Sequence, residues 1–463
     1  MRITLVEPRA PGLHIWTRFR LPRLGPLTLG TILARAGHDV RVLFEEAHGL
    51  DWKRLNSSEL VGISTVTSTA PRAYAIAYRL RAAGVPVVLG GVHPTMLPDE
   101  ALDRAEWVLR GEAEETILPF VRAVERATGF DEVPGLSWWR GGERVHNPAP
   151  PPLVDLDRLP FPDLSLLARP LHPPLGQHAI VPILTSRGCP HDCSFCCVTA
   201  MFGRRYRYRS AASVLAELRS HDLSGKRVFF YDDNFTASHR RTAELLGAMI
   251  AAGVTPPWSA QVAIDCAFDP ELLNLMRRAG GDTLFIGLES TNPATLRAFH
   301  KPQTVGGMER GIEALNRHGF HVHGMFVFGS DEDTPETIRV TARWARAQGL
   351  YSVQFLILTP LPGTRVFREL DGQGRLLARD WSLYDSHHVL YRPARMRADE
   401  LLAATFVAQG RFYSPWQTFR RLARGDLGNV LVRLYAHKLN RRWVRRNRHL
   451  MEPATSVGTP HKS

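Results

Sequence analysis

The sequence predicts an α/β protein with a Rossmann-like domain, then an open, partial barrel of six β–α units, then a helical, basic C-terminal region. Three observations carry that prediction. Short β-branched runs alternate with helical stretches twice over, which is the pattern of parallel sheets flanked by helices. A proline-rich stretch separates the two alternations, and strand signals vanish after Leu390. At 463 residues the chain is also too long for one core, so two large domains are expected.

In chain order, ITLVE, VRVLFEE, LVGISTV, VPVVLGG and WVLRGE read as the strands of a domain spanning 1–147, with PLTLGTILARAG and AYAIAYRLRAAG as helices and an acidic helix after the last strand. Open sheets of this kind bind ligands at the carboxyl ends of their strands. Ser64, Thr65 and Thr67 end one strand and Gly90 and Gly91 another, so polar groups and close-approach glycines share one sheet edge. Residues 148–178 carry closely spaced prolines, which forbid both helix interior and central strand, and read as an ordered linker. From 179 to 390 the strands AIVPILTS, RVFFYDD, WSAQVAI, TLFIGLES, HVHGMFVFG and SVQFLIL alternate with helices. Six repeats are fewer than the eight of a closed barrel. Residues 391–463 read as helices.

Hydrophobic residues at 44% and charged residues at 22% are the balance of a globular protein. No apolar run approaches the ~20 residues of a membrane-spanning helix, and no leader-like stretch opens the chain, so the cytoplasm is the expected location. The net charge of +13 is concentrated. Residues 411–450 hold eleven Lys or Arg against one acid, Asp426, a net +10, and the remainder is close to neutral. Nucleic acid is therefore not an expected partner for the bulk of the protein. The tail reads either as a packed helix with a solvated basic face or as a helix lying on anionic lipid or phosphate, which would make the protein membrane-associated.

The segment RGCPHDCSFCC, residues 187–197, holds four of the five cysteines. Cys189, Cys193 and Cys196 form a CxxxCxxC arrangement on the loop after the first strand of the second alternation. Three closely spaced thiolates in a reducing compartment suit an iron–sulfur cluster, and three ligands for four irons leave one iron open. Zinc is the alternative, but Cys197 and His191 are badly placed for a second chelating knuckle. Cys197 is expected to be a buried thiol beside the cluster and Cys266 ordinary core.

The cysteine motif with Phe195 before its last cysteine resembles the radical S-adenosylmethionine enzymes, and the first domain resembles the cobalamin-binding domain of their class B branch. GGVHPT at 90–95, RGEAEET at 110–116, YDDNF at 231–235, FIGLES at 285–290 and TPLPGT at 359–364 agree with that resemblance, which is strongest to hopanoid C-2 methylases and the anaerobic bacteriochlorophyll cyclase. It implies three cofactors, namely a 4Fe-4S cluster on Cys189, Cys193 and Cys196, S-adenosylmethionine, and cobalamin. By the same resemblance Phe195, Asp232, Asp233, Asn234, Glu289 and Ser290 are expected at the S-adenosylmethionine site, Asp232 to Asn234 receiving its ammonium unless they merely cap the next helix. Ser64, Thr65, Thr67, Gly90, Gly91, His93, Gly111 and Glu112 are expected at the cobalamin site. The DxHxxG loop that offers cobalt a histidine is absent, leaving His14 and His93 as candidates and a cobalamin without a histidine ligand as the expectation.

The resemblance further implies that S-adenosylmethionine is cleaved, that the resulting nucleoside radical takes hydrogen from an unactivated carbon, and that methylcobalamin supplies the methyl group. The expected substrate is a small molecule or lipid, and the expected electron donor a flavodoxin or ferredoxin. A cyclase or rearrangement enzyme with the same cofactors is the near rival, and a cobalamin or iron–sulfur sensor with a basic tail the distant one. A tRNA methylthiolase would need a second cysteine triad, and residues 1–188 contain no cysteine.

Overall fold

The computed structural model describes residues 1–12, 21–169, 179–423 and 427–451. Its first sheet has seven strands: β1 (Arg2–Glu7), β2 (Asp39–Phe44), β3 (Leu60–Ser64), β4 (Val87–Gly90), β5 (Trp107–Leu109), β6 (Leu136–Arg140) and β7 (Glu143–His146), in the order β2-β1-β3-β4-β5-β6-β7. The first five run parallel, and β6 and β7 close the edge as an antiparallel hairpin. β1 and β3 are buried along nearly their whole length, because helices cover both faces of a parallel sheet. The segment after β5 is not the acidic helix expected from RGEAEET. The helix begins only at Ile117, and the glutamates before it turn toward the second domain.

The second domain opens with β8 (Ile180–Ile183), followed by the short antiparallel pair β9 (Ser186–Arg187) and β10 (Arg207–Tyr208). β11 (Arg227–Phe230), β12 (Trp258–Val262), β13 (Gly281–Glu289), β14 (His321–Phe328) and β15 (Ser352–Ile357) complete a six-stranded parallel sheet in sequential order from β8 to β15. Alternation along the strands sends Phe230, Trp258, Ile286 and Phe355 outward into the helix layer, where the large core lies. Phe229, Phe285 and His323 meet ring against ring on the other face, with centroids 5.9 and 5.0 Å apart, and plug the base of the barrel. Burial pushes His323 down to about 3, so it is neutral there.

The proline-rich segment follows the first sheet, with Leu167 pairing parallel to Val42 and Leu153 donating its N–H to Glu112. Its residues 170–178 lie outside the described residues. After β15 the helix Ala398–Phe412 packs on that strand, and Tyr413 exchanges two hydrogen bonds with Val353 at 2.8 and 2.6 Å. The helices Pro415–Leu422 and Leu427–Arg446 follow, and Trp443 of the last one stacks on Phe406 at 3.8 Å. No helix among the described residues is long and apolar enough to cross a membrane.

Candidate functional site

The carboxyl ends of β1, β3, β4 and β5 face the start of the barrel across a cleft of about 1300 Å3, counting its open mouth. Ser64, Thr65, Gly90, Gly91, Gly111 and Glu112 line one wall, and Leu184, Arg187, Met201, Phe202, Tyr231 and Asp233 the other. The floor is shaped by Gly91. It sits at φ +94°, and a Cβ there would stand 2.6 Å from the carbonyl oxygen of Thr65 and 2.9 Å from its nitrogen. Only a residue without a side chain leaves that backbone open to a bulky ligand. A wide, mostly apolar cleft with a few hydroxyls and close-approach backbone fits the tail of a corrinoid.

Two of the residues expected there face elsewhere. His93 is fully buried. Its Nδ1 lies 3.4 Å from the Thr67 hydroxyl and its Nε2 3.1 Å from Tyr74 Oη and 3.4 Å from Glu100, and its ring packs against Trp381. His93 and Thr67 thus belong to a knot behind the sheet edge, because the helix Val92–Met96 rotates the ring away from the cleft. His14 lies outside the described residues. Glu112 does line the cleft, but its carboxylate is engaged by Arg187 at 3.1 Å and Arg207 at 2.7 Å. Arg187 also reaches Glu114 at 2.5 Å. The pairs span the two domains, and all four side chains are less than a tenth exposed.

The same arginine introduces the cysteine loop. β9 and β10 pair at its base, Arg187 opposite Arg207, so the residues between them leave and return at one point. Gly188 makes the exit possible at φ +82°, where a Cβ would stand 2.5 Å from the carbonyl of Arg205. None of the cysteines is in a disulfide. Cys193 feels the charge of Cys189, and Cys196 that of Cys193 and Cys197, so the motif's thiols share one electrostatic neighbourhood. Burial pushes Cys189, Cys193, Cys196 and Cys197 up. A buried thiolate needs a cation beside it, and iron at each sulfur would supply one. Three thiols on one loop, each able to ligate one iron, are the donor set that an iron–sulfur cluster takes.

Around this loop the barrel ends contribute unequally. Asn234 lies beside the Cys189 thiol and opposes the upward push of burial there, and Asp233 lines the cleft and is pushed up to about 6 by burial and by Asp232. Asp232 departs from expectation. It is fully buried, and its carboxylate accepts from Thr185 N at 2.7 Å, Thr185 Oγ1 at 2.5 Å and Ser186 N at 2.7 Å. It locks β11 to the end of β8 and has no face for a ligand. None of the trio caps the next helix either, since Ser238 accepts from Arg241 N there. Glu289 stands on a bulge of β13 at φ +58° and pairs with Lys301 at 2.9 Å, beside Cys193 and Cys196. Ser290 accepts from Asn292 N, and Phe195 packs edge-on against Phe299 at 4.9 Å. Cys266 is core.

A second cleft, about 670 Å3, lies where β15 meets the first domain, between Ala10–Gly12, Ser68, Gln354, Leu356 and the segment Tyr384–His387. It adjoins a third, about 600 Å3, through the shared residues Gly12 and Asp385, and Arg442, Trp443 and Arg446 of the last helix line the latter. Where they meet, His388 donates through Nδ1 to Asp385 at 2.9 Å. The sequence reading missed Arg187, Glu114 and this Asp385–His388 pair. The juxtaposition of Arg187 with the motif was the available signal for the first.

Two family models match the chain, the B12 binding domain over residues 17–120 and the Radical SAM superfamily over residues 183–345. The chain is 30% identical over 423 residues to the bacteriochlorophyllide d C-12(1)-methyltransferase of Chlorobaculum tepidum, covering 89% of this chain and 88% of that protein. It is 31% identical over 352 residues to the anaerobic magnesium-protoporphyrin IX monomethyl ester cyclase of Cereibacter sphaeroides, covering 73% of this chain and 56% of that one. Among solved structures, the fold matches the methyltransferase TsrM from Kitasatospora setae, bound to cobalamin and a [4Fe-4S] cluster, at 22% identity and a TM-score of 0.66, covering 80% of this chain and 78% of that one.

Proposed function

The chain belongs to the radical S-adenosylmethionine superfamily, in the branch that carries a B12 binding domain, and from that premise we propose that it methylates an unactivated carbon of a small, largely apolar substrate, ring-bearing or lipid. The observation that carries this reading is the cleft in which the strand ends of the first sheet come up to the cysteine loop. Cys189, Cys193 and Cys196 would hold the cluster, and Ser64, Thr65, Gly90, Gly91 and Gly111 the corrinoid. When bound, the cluster with S-adenosylmethionine supplies hydrogen-abstracting power and the corrinoid supplies the methyl group.

The chain's own residues position and protect. Lys301 neutralises Glu289 and stands as a cation beside Cys193 and Cys196, and Asn234 lies beside the Cys189 sulfur. Leu184, Met201, Phe202 and Tyr231 present apolar surface between the cysteine loop and the first sheet, and so exclude water from the region where a radical would be quenched. The cleft beside β15 would seat the substrate, with Gln354 and the Asp385–His388 pair as its polar anchors and Leu356 as apolar wall. An external one-electron donor, a flavodoxin or ferredoxin, completes the scheme.

Cyclisation without methyl transfer is the second reading, favoured by the 31% identity to the cyclase. Product mass separates the two. Protein reconstituted without oxygen and given S-adenosylmethionine, a reductant and a bacteriochlorophyllide should yield 5′-deoxyadenosine and a product heavier by one methyl group. A product altered only by oxidation or ring closure would establish the second reading, and no 5′-deoxyadenosine from cluster-loaded protein would end both.

A further inference from the structure

The last two helices carry an unusual surface. Fifteen large apolar side chains are exposed among the described residues, and Trp416, Phe419, Leu422, Leu431, Val432 and Leu434 are six of them. Trp416 and Phe419 stack on one another, 6.1 Å between centroids, and are 65% and 59% exposed. The helices Pro415–Leu422 and Leu427–Arg446 pack against each other, so the apolar groups belong to one end of the molecule.

The longer helix has two faces. Asn429, Arg433, Ala436 and Asn440, spaced four, three and four apart, are buried against the body. Arg433 donates to the carbonyl of Phe412, and Asn429 to that of Tyr351 at 2.6 Å. The opposite face, Leu431, Leu434, Lys438, Arg441 and Arg445, follows the same periodicity and is open to water. It grades from apolar to basic along the helix, and the shorter helix adds exposed Arg420 beside Phe419. A solvated basic face would need no Trp, Phe or Leu on it. A nucleic-acid surface uses aromatic rings and cations, and Leu431 and Leu434 add aliphatic surface that base stacking does not use.

We propose that this face docks on an anionic lipid bilayer, with Trp416, Phe419, Leu431 and Leu434 entering the headgroup boundary while Arg420, Lys438, Arg441 and Arg445 pair with lipid phosphates. The chemistry of the surface selects this occupant, since apolar insertion and cationic attraction occur together, and the only acid in residues 411–450 is Asp426. The docking does not depend on the reaction proposed above. It also places the third cleft, lined by Arg442, Trp443 and Arg446 of the same helix, next to the membrane.

The test is sedimentation of the full-length protein with vesicles of phosphatidylcholine containing about one-third phosphatidylglycerol, against phosphatidylcholine alone. Binding to the mixed vesicles is expected, weakening with salt. Lys438→Gln, Arg441→Gln and Arg445→Gln together should lower the partition coefficient roughly a hundredfold, about fivefold per charge. Trp416→Ser, Phe419→Ser and Leu434→Ser together should lower it about tenfold or more with the charge intact. All six side chains are exposed, and an unchanged far-ultraviolet dichroism confirms that the fold persists. Failure of the wild-type protein to sediment, or equal sedimentation of the serine variant, overturns the proposal. Binding to a mixed-sequence RNA duplex that the glutamine variant loses and the serine variant keeps, without vesicle binding, assigns the face to nucleic acid instead.

Discussion

Arg187→Met is the sharpest probe of the joint between the two sheets. The guanidinium holds Glu112 at 3.1 Å and Glu114 at 2.5 Å, and the three side chains are 8%, 6% and 7% exposed. Glu112 keeps Arg207 and the Leu153 N–H when Arg187 is removed. Glu114 does not fare as well, since its Oε2 already has no hydrogen bond. The loss therefore falls on one buried carboxylate left without its cation, and such a loss costs about 3 kcal/mol, the lower end of the range because the cleft admits some water. For a domain of this size that is roughly 6–12 °C in the unfolding midpoint. Glu114→Gln in the same chain removes the stranded charge, so the double variant should recover about 2 kcal/mol relative to additivity. Calorimetry of cofactor-free protein without oxygen, on the wild type, both single variants and the double variant, measures the cycle. An Arg187→Met change within about 0.5 kcal/mol, the size of an ordinary surface substitution, or a strictly additive cycle, would refute the clamp.

Gly91→Ala puts a Cβ 2.6 Å from the Thr65 carbonyl in a left-handed conformation, so it should destabilise by about 2 kcal/mol and weaken corrinoid retention, both readable by unfolding and by corrin absorbance. Asp282 is partly buried, which raises it, but His321 and Arg227 outweigh burial and hold it at about 2. A depressed carboxylate stabilises above the unfolded value near 4 and loses that contribution as pH falls toward 2. Asp282→Asn should therefore cost about 1–2 kcal/mol at pH 7, with the gap closing below about pH 4 in a series of urea midpoints. Cys196→Ser should abolish assembly of about four irons per chain while Cys197→Ser keeps it, as measured by iron and sulfide content; equal loss would make Cys197 a ligand. Tyr413→Phe should cost about 1–2 kcal/mol through its two bonds to Val353, with barrel unfolding as the readout.

The architecture is legible because buried parallel strands such as LVGI and VPVVL announce themselves as continuous apolar runs. The hairpin of β6 and β7 lies inside the predicted first domain but is not among its predicted strands, although Gly141-Gly142 between LSWWR and ERVH is a turn signal. The cysteine motif is readable because its three thiols are local in sequence. His93, Thr67 and Asp232 were placed on the right strand ends but turned the wrong way. Sequence position tells which loop a side chain occupies, and the rotation of the following helix decides where it points. Arg187 adjoins the motif in sequence, but its role as a clamp is not readable there. Its partners lie 75 and 73 residues upstream, a separation that only the closed cleft reveals.

The histidine knot behind the sheet edge has a mechanical consequence. Trp381, which follows the barrel, donates to Glu100 at 2.9 and 3.0 Å, and Glu100 also accepts from Tyr74 at 2.9 Å. The first lobe is thus stitched to its neighbour at two separate seams, one at each end of the second lobe's chain. A hinge about one seam tears the other, so the finished molecule resists gaping.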